Sequence, residues 1–290
     1  MDMSNDAGSE DGLAGAFRFD LPPGWIRAET AQDPDQARFL AGAALAALHP
    51  VGMGRTSVPM ALLCDRMALL AAEASLRLTG KPAGLAALRD AVHLIRPGEH
   101  PDPAGNVAQA WRQAARQRLE PGAGEAAPLA AAATAYEDSR ADHPGDLPGA
   151  LMAAEAALAG ALGWPFLLPV LTAGFSRRDL APRGPDLELA CARALVASAP
   201  RAQRLAGDLA RRAARLRAVA PKLRAKAAPA AVDLLLRVDA LTPALALSPV
   251  VQGTAARMSD RAARRFCDRL VQLGVLREFS GRAAFRIYGL

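Results

Sequence analysis

Cysteine, histidine and aromatic side chains are scarce in this chain, and each scarcity excludes something. The 290 residues include 3 Cys and 4 His, and only 4% are aromatic. Cys64, Cys191 and Cys267 are far apart and odd in number, which excludes a disulfide scaffold and fits a reduced, cytoplasmic chain. His49, His93, His100 and His143 stand at no metal-ligand spacing and no Cys pair accompanies them, so neither a metal nor another cofactor is expected. His49 and His100 each precede a proline, which reads as surface loop. Gly52-Met53-Gly54-Arg55 lacks the Lys-Ser/Thr of a phosphate loop and reads as a turn. The neighbours Asp65-Arg66 and Arg89-Asp90 read as salt links on helices rather than acid–base pairs. No nucleophile can be matched with a base. Trp25, Trp111 and Trp164 read as core anchors.

Apolar residues, at 51%, are plentiful, which excludes wholesale disorder and allows one large or two ordinary domains. The acidic opening MDMSNDAGSEDG has no basic or apolar segment of a signal peptide and reads as a disordered tail over residues 1–22. Ala156 to Phe175 carries no charge for 20 residues, long enough to span a membrane. Five Gly and Pro residues interrupt it, so buried core is the better reading and no membrane contact is expected.

The formal net charge of +6 hides a polarity. Residues 201–290 hold 18 Lys and Arg against 6 Asp and Glu, whereas residues 1–200 hold 17 against 23. An acidic body joined to a basic end suggests a polyanion-binding end.

Apolar spacing predicts helices over 35–48, 60–79, 85–95, 105–119, 129–137, 149–163, 186–199 and 201–220. Phe39, Leu40, Ala43, Ala44 and Leu48 would form the buried stripe of the first. Leu205, Leu209, Ala213, Leu216 and Ala220 would form that of the last, with a run of Arg and Lys around it. The basic run reads equally as a nucleic-acid stripe and as a solvated face. These helices make an all-α body over 23–227.

The last segment, 228–290, carries the sharpest pattern. A helix Val232–Leu241 would precede a short helix Pro249–Ala256 opened by Ser248-Pro249, then a helix from Ser259-Asp260 to Leu273. Ala262, Ala263, Phe266, Leu270 and Leu273 fall on one side of that helix. Arg261, Arg264, Arg265, Asp268 and Gln272 fall opposite. Gly274 stops it, and Val275–Phe279 and Ala284–Tyr288 alternate about a Ser-Gly-Arg turn, which reads as a β-hairpin. The order is that of a winged helix-turn-helix. The fold expected is therefore mainly α: a helical bundle followed by a small winged helix-turn-helix with a C-terminal hairpin. Arg261, Arg264, Arg265 and Gln272 would face a DNA groove, and Arg257, Arg282 and Arg286 would meet phosphates.

The runs Ser75–Pro82, Ala87–Gly98 and Pro103–Arg112 resemble an uncharacterised bacterial family, domain of unknown function 1403. Leu162–Pro165, Phe175–Leu180, Ala213–Lys226 and Phe285–Leu290 resemble it too, so the likeness covers nearly the whole chain. The resemblance implies no established chemistry. It implies an alphaproteobacterial setting, often on plasmids or mobile elements, which favours a DNA-associated role. A helical body ending in RAARRFCDRLVQLGVLREFSGRAAFRIY more distantly resembles Fic-type proteins with a C-terminal winged helix. Those transfer AMP with a His-Pro-Phe and Gly-Asn-Gly-Arg loop. His100-Pro-Asp-Pro-Ala-Gly-Asn-Val lacks the Phe, second Gly and Arg, and His143-Pro-Gly is poorer, so the activity is not carried over.

The expectation is a non-enzymatic protein that binds double-stranded DNA, alone or as a homodimer, as a transcriptional regulator or plasmid-associated factor. The alternatives are a degenerate Fic-like protein of nucleotide-transfer ancestry and a protein-interaction scaffold.

Overall fold

The structure, a computed structural model, describes Ile26 and residues 33–96, 98–120, 127–282 and 284–290. The N-terminal tail and Trp25 lie outside the described residues. The described chain is mainly helical, with one two-stranded antiparallel sheet near its end. In order come α1 (Pro34–Gly52), α2 (Met60–Thr79), α3 (Leu85–His93), α4 (Pro103–Arg116), α5 (Pro128–Asp142), α6 (Leu147–Ala161), α7 (Gly184–Val219), α8 (Ala228–Leu235), α9 (Asp260–Gln272), β1 (Arg277–Glu278) and β2 (Tyr288–Gly289).

Local chemistry sets most helix starts. Asp33, Asp102, Asp146 and Ser259 each accept a hydrogen bond from a backbone N–H of the first turn of α1, α4, α6 and α9. Helix α2 is the centre of the bundle: it packs on α3, α4, α6 and α7, and it is buried on nearly every side. A helix buried all round must be apolar all round or pair its charges. Asp65 and Arg66 sit in the second turn of α2, and both are paired.

Asp65, Arg66, Arg89 and Asp90 are in salt links, as expected, but their partners are distant in sequence rather than adjacent. Asp65 takes a two-pronged contact from Arg112 of α4, with both distances 2.8 Å, and a third from Arg116 at 3.1 Å. It also accepts the backbone N–H of Asp239 at 2.8 Å. Arg66 pairs with the Asp239 carboxylate and donates to the backbone carbonyls of Asp239 and Leu290, both at 2.9 Å. Arg89 of α3 reaches the same carboxylate at 2.7 Å, and its guanidinium lies 4.4 Å from the Phe279 ring centre. Two fully buried carboxylates and four arginines thus join α2, α3 and α4 to the segment after α8 and to the chain end. Burial opposes ionisation of Asp239, but the Arg66 and Arg89 guanidiniums hold its pKa down, at about 2.

The uncharged run 156–175 is buried, as expected. Helix α6 ends at Ala161, and Trp164, Leu167, Leu168, Val170 and Leu171 pack inside. The carboxylate just before the run makes this irregular stretch possible. Glu155, itself buried, accepts the N–H groups of Val170, Leu171 and Thr172 and the Thr172 hydroxyl, at 2.8–2.9 Å. No helix among the described residues is long and apolar enough to cross a membrane.

Several expectations are corrected. The two helices expected over 186–220 are one, α7, which runs through Pro200. The first helix runs on through His49 and Pro50 to Gly52, and Phe39 lies on its exposed side. The helix expected to reach Leu241 ends at Leu235, because the chain turns there to drive Asp239 into the ion network. The helix expected over Pro249–Ala256 does not form. A five-residue helical turn, Pro243–Leu247, comes earlier instead. The 249–256 stretch closes as a loop in which Val251 N–H meets the Ala256 carbonyl at 2.8 Å and Gly253 takes φ +76°. Thr254 completes it, donating to Val251 O and accepting from Ala256 N–H. A glycine with positive φ in mid-segment is incompatible with helix there. The expected hairpin is antiparallel but short: Arg277 pairs with Gly289 and Glu278 with Tyr288.

Trp111 and Trp164 are core anchors, as expected. Their indole N–H groups meet the Ser75 hydroxyl at 3.0 Å and His49 Nδ1 at 3.1 Å. His49 is therefore half-buried and engaged, while His100 and His143 are exposed.

Candidate nucleic-acid interface

Helix α9 is the most strongly two-sided helix at the basic end. Ala263, Phe266, Cys267 and Leu270 are buried, and Phe266 and its neighbours lie on the core side with the Pro243–Leu247 turn packed behind them. Cys267 takes the place expected of Leu273, which is 40% exposed beyond the last turn. Burial pushes the Cys267 thiol up to about 12, so it behaves as a small apolar filler.

The outward side divides into two strips. Arg261, Arg265 and Arg269 repeat every four residues, are exposed, and make no ion pair among the described residues. They extend about 12 Å along the axis at 1.5 Å per residue. Gln272 is exposed in the turn that follows. The other strip is neutralised. Arg264 pairs with Asp260 at 2.8 Å, and Asp268 accepts the Tyr288 hydroxyl at 3.2 Å and stands 3.9 Å from Arg286.

The remaining expected residues separate in the same way. Arg257 is exposed in the loop before α9. Arg282, expected at a hairpin tip reaching for phosphate, pairs instead with Asp90 of α3. The hairpin tip is thereby tied to the helical body. Arg286 donates to the Arg282 carbonyl at 3.1 Å, which closes the same turn.

Arg269 is the residue that sequence reasoning missed. It lies at the edge of the exposed side on a helical wheel; its spacing from Arg261 and Arg265 was the available signal. Its neighbours raise its importance. Arg269 and Leu273 share a surface hollow with Val219, Lys222, Leu223 and Arg224. The end of α7 and the free strip of α9 therefore form one basic surface, from Arg261 through Arg265 and Arg269 to Arg224 and Lys222. Earlier along α7, Arg212 pairs with Asp208 at 2.8 Å and Arg211 lies 3.6 Å from the same carboxylate. That part of the basic run is partly a solvated, self-paired face.

Among the described residues no group of His, Cys, Asp and Glu is arranged to hold a metal. The His100–Val107 text that resembles a nucleotide-transfer loop is the capped start of α4, with Asp102 accepting the Gly105 N–H at 2.6 Å.

A profile of the family described as protein of unknown function (DUF1403) matches residues 14–134 and 121–290. The chain belongs to that family. The membership covers both the helical bundle and the basic end, so the α7–α9 surface lies within the matched region. No curated protein matches the chain, and no solved structure does.

Proposed function

We propose that this DUF1403 member binds double-stranded DNA through the surface formed by α9 and the end of α7. The observation that carries the proposal is the unpaired strip Arg261, Arg265 and Arg269 continuing into Arg224 and Lys222. Guanidiniums without acidic partners are available for phosphate oxygens and guanine edges, whereas those already paired must first break a contact. The order helical turn (Pro243–Leu247), α9, β1 and β2 supports reading this end as a winged helix-turn-helix, which would put α9 in the recognition position. On this reading Arg261, Arg265 and Gln272 face the groove. Arg257, Arg269, Arg224 and Lys222 meet the backbone. Arg264, Arg282 and Arg286 hold the unit together rather than touching DNA.

Fluorescence polarisation with a labelled duplex separates these roles. Arg265→Ala/Arg269→Ala should weaken binding roughly a hundredfold or more, since each charge-assisted contact contributes about 1.5–3 kcal/mol. Arg282→Ala should change it little. Equal losses in both variants, or none in the first, would overturn the assignment. Capture of an acidic protein with no DNA binding would replace it with a protein-interaction role.

A further inference from the structure

A second cationic site lies away from the α9 strip, in a cleft of about 660 Å³ between the start of α2, the ends of α3, α4 and α8, and the 237–253 segment. That volume is in the range of small-molecule sites. Five basic side chains line it: His93, Arg96, Arg112, Arg116 and Arg237; among the described residues no Asp or Glu does. The cleft is not simply a charged surface. Val92, Ile95, Leu234, Leu241 and Leu245 supply an apolar wall beside the cations.

The cations differ in how firmly they are placed. Asp65, behind the cleft, fixes Arg112 through Nε and one Nη, and fixes Arg116 through one Nη. The remaining guanidinium N–H groups of Arg112 are thereby pre-oriented, while Arg116, half-exposed and held by one contact, keeps more freedom. Arg96 and Arg237 are exposed at the rim and make no ion pair among the described residues. His93 adds an independent sign. Its Nε2 is buried and has no hydrogen-bond partner, and buried polar atoms are rarely left so. Burial, reinforced by the Arg112 charge, pushes the His93 pKa down to about 4, so a neutral ring stands in the wall at physiological pH. Such a ring can donate to an anion without the desolvation cost of a charged imidazolium.

We propose that this cleft binds a small organic anion, a carboxylate or phosphate monoester carried on an apolar body, with its head at Arg96, Arg112, Arg116 and Arg237 and its body on the Leu234–Leu241–Leu245 wall. The proposal does not depend on DNA binding, because none of these residues belongs to the α7–α9 surface.

Titration calorimetry of the full chain with benzoate, octanoate and phenyl phosphate tests it, with inorganic phosphate and phenol as head-only and body-only controls. One of the three amphipathic anions should bind saturably and more tightly than either control, and which one binds assigns the head group. Arg96→Gln/Arg237→Gln, at two exposed positions, should weaken that binding roughly tenfold. Ala61→Trp, at the exposed mouth, should block it. The His93 ring resonances should shift on saturation in the parent and stay fixed in Ala61→Trp. No saturable binding by any of the three, or binding unchanged in both variants, would overturn the proposal. Duplex binding by both variants should match the parent, which keeps this test separate from that of the DNA surface.

Discussion

Single residues hold this protein together at points where charge is buried. Asp239 is fully buried and receives Arg66 and Arg89, so removing it leaves two guanidiniums uncompensated. Asp239→Ala should cost about 3–5 kcal/mol, read as a lower urea midpoint at unchanged slope. A loss below about 1 kcal/mol would show that water replaces the carboxylate. His93 governs a pH dependence of opposite origin. Its folded-state pKa, about 4, lies below the ordinary 6.5, so the neutral form is the one the fold prefers. Its contribution is complete above pH 6.5 and is lost as pH falls through that value towards 4. Asp239 adds its own loss only lower, between 3.8 and about 2. His93→Gln should therefore flatten stability between pH 6.5 and 4 while leaving the steeper fall below it. An unchanged profile in that window would assign the slope to other groups.

At the scale of elements, close packing constrains α7 most. A side chain at Gly174 would run into the backbone carbonyl of Ala194 on α7. That atom belongs to a helix and cannot rotate away, so Gly174→Ala should destabilise by several kcal/mol, about the cost of overpacking a tight core. Thermal melting reads this, and a melting point equal to the parent's would contradict the rigidity assigned to α7. Helices with apolar periodicity were legible from sequence, because that signal is local, and Ser259 announces α9 within three residues in the same way. The two-sided character of α9 was legible for the same reason. Elements whose form depends on distant partners were not. Local pattern extends α8 to Leu241, yet Asp239 is drawn inward by Arg66 and Arg89, more than 140 residues earlier. Likewise Arg282 reads as a free wing cation until Asp90 is seen beside it, and Arg269 reads as peripheral until Lys222 and Arg224 are placed next to it. Proline at 200 signals a break that tertiary packing along α1 and α5 overrides.

Over the whole molecule, the charge polarity of the sequence becomes an arrangement in space. Acidic residues of the first two-thirds do not all face solvent: Asp65 and Glu155 are buried organisers, and Asp90 anchors the hairpin tip. The basic excess of the last third concentrates where α7 ends beside α9. One apolar cluster includes residues from Ile26 to Leu290, and the Asp65–Arg66–Asp239 network runs through it. Unfolding should consequently be a single cooperative transition, with α9 and the bundle melting together by hydrogen exchange. Exchange of α9 amides well ahead of α2 would show instead that the basic end opens independently.

The salt dependence of duplex binding tests most directly whether the basic surface of α9 and the end of α7 meets DNA phosphates. For the parent, log affinity should fall linearly with log salt concentration. Replacing Arg269, Arg224 and Lys222 together by alanine should reduce that slope by roughly three, about 0.9 for each lost phosphate contact. A parent slope near zero, or a triple variant with the parent's slope, would contradict the account.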